Sequence, residues 1–391
     1  MRGKFNIKGL YEAAVRDGQT DRFFSDINEA LDKGEMKPED FSIRQLFEQL
    51  VEDGPSILSQ WFHNPEGRMS IMEAGVSTTA FSNITGQLLV NKTMDAYKGP
   101  AFIGDQLCST IPTKLPKGEK IPGMSPIGNE AEAVGEAQPY PFVGFGEDWV
   151  ETPETIKRGM IVPLTREVIV ADLTGLLFQR AEAVGEWMGY NKELRVMGVA
   201  LGTSANVYNR RGRGVVATYG DNSGNHDWDN QVTDNLVDWT DLENALLAFD
   251  AMTDPNTGEP INVVGGGQLQ LVVPTAKLFT AKRIVSATEI RFGDGASSTT
   301  QTLSANPVSG MFNVLSSQLV YKTTSSNIIW YVGNFKKAFA YMEVSPLQVV
   351  KAPSNSHDEF HRDIVDQWKV SEWGVAAALD PRYVVKSTGA A

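Results

Sequence analysis

Between Asp172 and Gly202, apolar residues recur at three- and four-residue steps. Leu173, Leu176, Leu177, Ala181, Val184, Met188 and Leu194 carry the pattern, with Arg180, Glu182, Glu186, Lys192 and Glu193 interspersed. Such spacing places one set of side chains on one helix face. Asp172 is positioned to accept the first free backbone N–H groups, and Gly202 to end the helix. At about 1.5 Å per residue, a helix over 172–202 is roughly 45 Å long. That exceeds the three or four turns usual in globular domains, and the rest of the chain reads as arranged around it.

Three shorter amphipathic stretches come first: Leu10 to Val15, Phe23 to Leu31 and Phe41 to Val51, the last capped by Asp40 or Ser42. They form either a separate helical arm or a helical front end packed on the body. Residues 84–112 begin with helical spacing (Ile84, Leu88, Leu89, Met94) and turn into a strand whose last apolar position is Ile111. From Thr113 to Gly159 the chain is polar and glycine-rich. Pro116, Pro122, Pro126, Pro139, Pro141 and Pro153 exclude a helix there. Two extended pieces follow one another. Glu136–Trp149 carries Tyr140, Phe142, Phe145 and Trp149; Thr152–Ile169 carries Ile156, Met160, Val162 and Leu164. They predict a long two-stranded hairpin. Two strands alone are marginal in water, so these apolar residues require another surface, most simply a neighbouring subunit.

After the long helix, residues 203–235 read as a polar loop. Residues 238–252 read as a helix capped by Asp238 or Thr240, with Leu242, Ala245, Leu246 and Phe249 on one face. Residues 254–260 form a turn, 269–274 a buried strand, 275–290 a helix and 286–310 a second loop. Strands are expected over 313–321, 327–333 and 337–353, and again from Asp363 to Ser387. Helices and strands mix without regular βαβ alternation, which is an α+β pattern.

The chain has 391 residues, 41% of them hydrophobic, enough for two or three structural units. Its net charge of -13 argues against a coat of nucleic acid, because phosphate binding relies on Lys and Arg. The one cysteine, Cys108, excludes an internal disulfide framework and reads as a small buried hydrophobe. No apolar run approaches the ~18 residues that span a bilayer, and the first residues lack the apolar core of a secretory signal. A soluble protein made in the cytosol is expected.

Candidate chemistry is sparse. Of His63, His226, His357 and His361, the last two share a helical face, but Asp358 stands where a zinc protease needs Glu. Gly265–Gly267 match no phosphate loop, and Asp254, Asn256 and Gly258 lack the glutamate that closes a calcium loop. Arg210, Arg211 and Arg213 form a basic cluster that contacts either nucleic acid or a neighbour's carboxylate; the overall acidity favours the carboxylate. No constellation supports an enzyme, and no cofactor or metal is expected.

Three features carry a resemblance. The first is the order of arm, glycine-rich loop from Leu115 to Gly159, and long helix. The second is IIWYVGNFKKAFAYMEVSPLQVV, with Asn334 where an Asp is common. The third is the ending DEFHRDIVDQWKVSEWGVAAALDPRYVVKS. Together they resemble the major capsid proteins of tailed bacteriophages, which share the HK97 fold. The likeness covers roughly residues 84–388. It implies an N-terminal arm or scaffold-like segment over 1–83 and an extended loop (E-loop) over 113–159. It also implies a peripheral domain from 84–112, 160–205 and 356–391 with spine helix 172–202, and an axial domain over 206–355.

The resemblance further implies a structural subunit that forms hexamers and pentamers of an icosahedral head around double-stranded DNA, without sequence-specific binding. Scaffold, portal and decoration or cement proteins are the implied further partners, and no membrane is involved. The subunit is made in the host cytoplasm and resides in the virion. Contacts between subunits are implied at Lys117, Lys120, Tyr140, Phe142, Phe145, Trp149, Arg210, Arg211 and Arg213. Some members cross-link a loop Lys to a neighbour's Asn. Lys114, Lys117 and Lys120 lie at the loop's base, so no cross-link is expected. An encapsulin-like compartment is the alternative, and a soluble hydrolase or binding protein a third.

Overall fold

A computed structural model describes residues 42–51, 53–60, 79–99, 102–114, 116–122, 149–171, 176–204, 208–211, 214–220, 228–253, 260–261, 263, 267–293, 301–352 and 362–389, with a few single positions elsewhere. In chain order, the first half contains α1 (Ile43–Leu50), α2 (Gly54–Gln60), α3 (Thr79–Tyr97), α4 (Gly104–Leu107), β1 (Ser109–Pro112), β2 (Lys120–Pro122), β3 (Trp149–Glu151), β4 (Ile156–Thr165), α5 (Arg166–Ala171) and α6 (Leu176–Ala200). The middle contains β5 (Tyr208–Arg210), β6 (Gly214–Val216), β7 (Gln231–Val232), α7 (Trp239–Asp250), β8 (Leu269–Val273), α8 (Leu278–Ser286), β9 (Glu289–Gly293) and β10 (Gln301–Ala305). The last part contains β11 (Phe312–Ser316), α9 (Gln318–Thr324), β12 (Trp330–Gly333), α10 (Phe335–Ala338), β13 (Phe339–Lys351), β14 (Ile364–Ala378) and β15 (Val384–Ser387). The α+β class expected from the sequence holds. The chain divides into two units: residues 1–100, 157–191 and 345–373, and residues 101–156, 192–344 and 374–391.

In the first unit, α1 begins with a reciprocal cap. The Gln45 N–H donates to Ser42 Oγ at 3.2 Å, and the Ser42 N–H donates to Gln45 Oε1 at 3.4 Å. Ile43, Leu46, Phe47 and Leu50 then fall on one face and are buried. They share a core with Leu88, Leu164, Leu177 and Trp368. Of the two forms the sequence left open for this stretch, α1 takes the packed front end. The two earlier amphipathic stretches lie outside the described residues.

The long helix is α6; Asp172 and Leu173 lie outside the described residues. Against α3, Thr93 Oγ1 donates to the Ala181 carbonyl at 3.3 Å, and Lys92 Nζ lies 3.4 Å from Glu182 Oε2. Gly185 permits this approach: a Cβ there would stand 2.3 Å from the Thr93 carbonyl oxygen and 3.0 Å from Ala96 Cβ. Gly→Ala inside a helix ordinarily stabilises by roughly 0.5–1 kcal/mol. Here overpacking, at about 1–3 kcal/mol, outweighs that gain. Gly185→Ala is therefore expected to destabilise, with a lower midpoint in urea unfolding; an unchanged or raised midpoint would contradict the close crossing.

The expected hairpin between 136–149 and 152–169 does not form as drawn. Tyr140, Phe142 and Phe145 lie outside the described residues. β3 pairs with β2 and β5, whereas β4 neighbours β14. The second piece also stops being a strand at Thr165, where α5 begins. A period of two identifies a strand but not its partner.

The second unit holds a five-stranded sheet in the order β11-β8-β12-β15-β7. β8 and β11 are parallel, and β12 runs antiparallel to both β8 and β15. Trp330, Val332, Leu271 and Val273 from this sheet bury against Phe249 and Leu242 of α7. Of the two expected caps for α7, Asp238 serves: the Thr240 N–H donates to Asp238 Oδ1 at 2.9 Å, and Asp241 closes the cap in return. Three expectations change here. The loop over 286–310 contains the antiparallel hairpin β9–β10, so the helix over 275–290 ends at Ser286. The strand over 313–321 splits into β11 and α9, because the Leu319 N–H donates to Ser317 Oγ at 3.2 Å and starts a helix. The polar loop over 203–235 contributes β5, β6 and β7.

Gly202 ends α6 at φ +67°, as expected. The last carbonyls of the helix are buried and find donors in the second unit. The Tyr219 hydroxyl donates to Ala200 O at 2.6 Å and the Tyr331 hydroxyl to Leu201 O at 3.0 Å. The amides of Thr203 and Ser204 both donate to Gly198 O at 2.9 Å. Burial holds both phenols neutral by raising their pKa values.

Candidate functional site

Four of the nine residues singled out for contacts between subunits come together in the second unit. They lie on or beside the small sheet β2-β3-β5-β6. Pro122 stands opposite Trp149, and Val150 opposite Arg210. Lys120 Nζ lies 4.2 Å from the centre of the Trp149 ring, a cation–π contact worth about 0.5–1 kcal/mol at an exposed site. The Arg211 N–H donates to Trp149 O at 3.0 Å. Lys117 is exposed in the turn before β2. Tyr140, Phe142, Phe145 and Arg213 lie outside the described residues.

Arg210 differs from the expectation of a surface cation: its side chain is buried. Its guanidinium carbon lies 5.7 Å from the centre of the Trp228 ring, and that of Arg382 lies at the same 5.7 Å. Tyr208 meets Trp228 edge-on at 6.0 Å. Arg382 is held by Asp380 through two parallel bonds, Nε to Oδ1 and Nη2 to Oδ2, each 2.8 Å. This fork fixes both side chains more firmly than a point contact would. A cavity of about 360 Å³ opens beside them, with Ile121, Val150, Arg210, Lys337, Asp380 and Arg382 in its wall. Sequence reading missed Trp228, Lys337, Asp380 and Arg382. The run Asp380-Pro381-Arg382 was the available signal, since Asp before Pro favours a turn that can return Arg onto the carboxylate.

A second cluster surrounds Glu193, which the helical pattern placed among the polar positions of α6. The structure reverses this: Glu193 is 4% exposed, and Leu194 is half-buried. The carboxylate accepts from the Ile103 N–H at 2.8 Å and from the Gly104 N–H at 3.0 and 2.8 Å to its two oxygens. Burial raises its pKa above the ordinary 4.5, partly offset by those two amides. Burial likewise pushes the nearby Cys108 thiol up to about 12, as a small buried hydrophobe requires.

A raised folded-state pKa means that the fold prefers the protonated acid. The stability this contributes is present below the unfolded value and lost as pH rises through the folded one. Glu193→Gln is expected to flatten that decline in thermal melts as the pH rises above the ordinary glutamate value. It also costs about 1–2 kcal/mol, because the amide group opposes one N–H. A variant whose pH profile parallels the wild type would exclude Glu193 as the source.

All four histidines lie outside the described residues, as do Asp254, Asn256 and Gly258. Among the described residues, no group of three His, Cys, Asp or Glu side chains could hold a metal ion. No helix there is long and apolar enough to cross a membrane.

A family model described as phage capsid protein matches residues 149–387. No curated protein matches the chain in sequence. Among solved structures, the chain is similar to the capsid of cyanophage P-SCSP1u at 13% identity, over 73% of this chain and 87% of that one, with a TM-score of 0.44. It is similar to a structure from Mycobacterium phage Bobi at 12% identity, over 73% and 90%, with a TM-score of 0.41. It is also similar to a virus-like particle from Pyrococcus furiosus at 8% identity, over 76% and 97%, with a TM-score of 0.40.

Proposed function

The chain belongs to the phage capsid protein family, and from that premise we propose that it is the major subunit of an icosahedral, HK97-type bacteriophage head. The match over residues 149–387 supports this reading, because it takes in α6, the five-stranded sheet and the closing strands β14 and β15. In this role the chain is structural rather than catalytic. Hexamers and pentamers of it enclose double-stranded DNA, with scaffold, portal and decoration proteins as partners, after synthesis in the host cytoplasm. Residues 113–159 serve as the loop that reaches a neighbour, with Lys117, Lys120, Tyr140, Phe142, Phe145 and Trp149 as contacts and Arg210, Arg211 and Arg213 beside its base. Residues 84–112, 160–205 and 356–391 serve as the peripheral domain and 206–355 as the axial domain.

The surface supports assembly. Met160 and Ile161 on β4 and Trp187 on α6 are exposed. Large apolar side chains left in water gain about 1.5–3 kcal/mol each when a neighbour covers them fully. The net charge of -13 suits a shell that does not grip its DNA. Electron microscopy of the purified protein, with and without a scaffold protein, tests the proposal. Capsomers or closed shells are expected, and a monomer that never assembles would sink it. Shells that form around protein cargo instead of DNA would favour a compartment.

A further inference from the structure

The two helices on the five-stranded sheet present exposed stripes of opposite charge. α7 and α8 lie on the same face of that sheet: Leu242 and Phe249 of α7 and Ala281 and Ile284 of α8 share one core with Trp330 and Val332. Within that layer they stand over different strands. α7 packs against β15, α8 packs against β8 and β11, and β12 separates β15 from β8.

Away from this core, α7 carries Glu243, Leu247 and Asp250 at steps of four and three residues, which is one helix face. All three are exposed, Leu247 by 57%. α8 carries Phe279 with Lys282 and Arg283 three and four residues after it, again one face. These three are also exposed, Phe279 by 81%. Each stripe is a large apolar side chain beside two like charges, acidic on α7 and basic on α8. Glu243, Asp250, Lys282 and Arg283 have no ion-pair partner among the described residues. Both apolar side chains gain when another surface covers them.

Charge decides which surface that is. Placing α7 on α7 sets acid against acid, and α8 on α8 sets base against base, both of which interfaces avoid. The stripes therefore fit each other and not themselves. A contact between two different patches of identical copies runs head to tail, and it forms a ring where the rotation closes.

We propose that α8 of each copy packs on α7 of the next, with Phe279 against Leu247 and with Lys282 and Arg283 facing Glu243 and Asp250. The inference rests on the shell reading, which gathers copies into hexamers and pentamers. It adds the two faces that meet, and the charge that gives every ring one direction.

Reversing one face at a time tests it. Glu243→Lys with Asp250→Lys, and separately Lys282→Glu with Arg283→Glu, are each expected to raise the protein concentration needed for assembly at least about tenfold, because like charges then meet across the contact. Circular dichroism and thermal melts check that these surface changes leave the fold intact. Reversing all four charges restores complementarity and should restore closed shells. In an equimolar mixture of the two failing variants, one has two basic stripes and the other two acidic stripes, so they join only in alternation. Alternation closes a hexamer but leaves a like-charged contact in a pentamer. The mixture should therefore give hexamers and flat or tubular arrays by electron microscopy, without closed shells.

Normal assembly of either folded double variant would overturn the inference and leave the shell reading intact. So would closed shells from the mixture, or a folded fourfold variant that stays dissociated. A wild-type chain that never assembles would instead remove the shell reading itself.

Discussion

Glu182→Pro in α6 is expected to abolish assembly. The position lies mid-helix, one residue after Ala181, which is 1% exposed in the core of the first unit. A proline there removes a backbone hydrogen bond and clashes with the preceding turn, at about 3 kcal/mol or more. The kink would also displace Phe178 and Leu177, which share that core with Leu164 and Trp368. The side chain itself contributes little: its ion pair with Lys92 spans 3.4 Å, with Glu182 44% exposed, and such pairs are worth about 0–1 kcal/mol. Glu182→Ala is therefore the control and should assemble normally. Electron microscopy and sedimentation read both variants. Intact shells from Glu182→Pro would refute the central role given to this helix, and failure of Glu182→Ala would move the effect onto the ion pair.

Gly333→Ala should destabilise the second unit by about 4 kcal/mol. Gly333 ends β12, whose four residues are all buried, and adopts φ +151°. A Cβ there would stand 2.1 Å from the Tyr383 carbonyl oxygen and 2.7 Å from Val384 Cα. Both are backbone atoms, so no side-chain rotation relieves the contact. The same Tyr383 carbonyl accepts from the Asn334 N–H at 2.8 Å, and Gly333 faces Val384 in the β12–β15 pairing. Relief requires β15 to part from β12. Backbone strain of about 1–3 kcal/mol and overpacking of a similar size together reach about 4 kcal/mol. Whole domains are stable by only about 5–15 kcal/mol. Insoluble expression or a large drop in the urea midpoint is expected, and a midpoint equal to wild type would contradict the contact. Gly185→Ala acts by the same physics in the first unit, at a smaller cost because the helical backbone angle there suits alanine.

Neither glycine stood out in the sequence. Gly185 lies inside the helix expected over 172–202, and Gly333 ends the strand expected over 327–333. What each one admits is a backbone atom from a distant part of the chain: the Thr93 carbonyl in one case, the Tyr383 carbonyl in the other. The same limit governs the candidate site. Lys120, Trp149 and Arg210 were legible as types, an aromatic and cations beside a long connection. Their meeting, and the addition of Trp228, Lys337 and Arg382, depends on how β2, β3 and β5 pair.

By itself, the sequence determined the features set by residues within one or two turns of each other. A capping residue just before α1 and α7, the stop at Gly202, the periodicity of α6 and the burial of Trp368 and Val370 on one face of β14 are of this kind, and so is the α+β class, although the structure chose Ser42 over Asp40 and Asp238 over Thr240. The order of segments also carried the capsid-family resemblance, which the match over residues 149–387 bears out. Only the tertiary structure decided which strands pair. A two-residue period specifies a face and no partner, so the expected β3–β4 hairpin became β3 with β2 and β5, and β4 with β14. Only the tertiary structure decided that Glu193 turns inward and Leu194 partly outward. The free amides of Ile103 and Gly104 wait there for an acceptor, and satisfying buried donors outweighs leaving one leucine half in water.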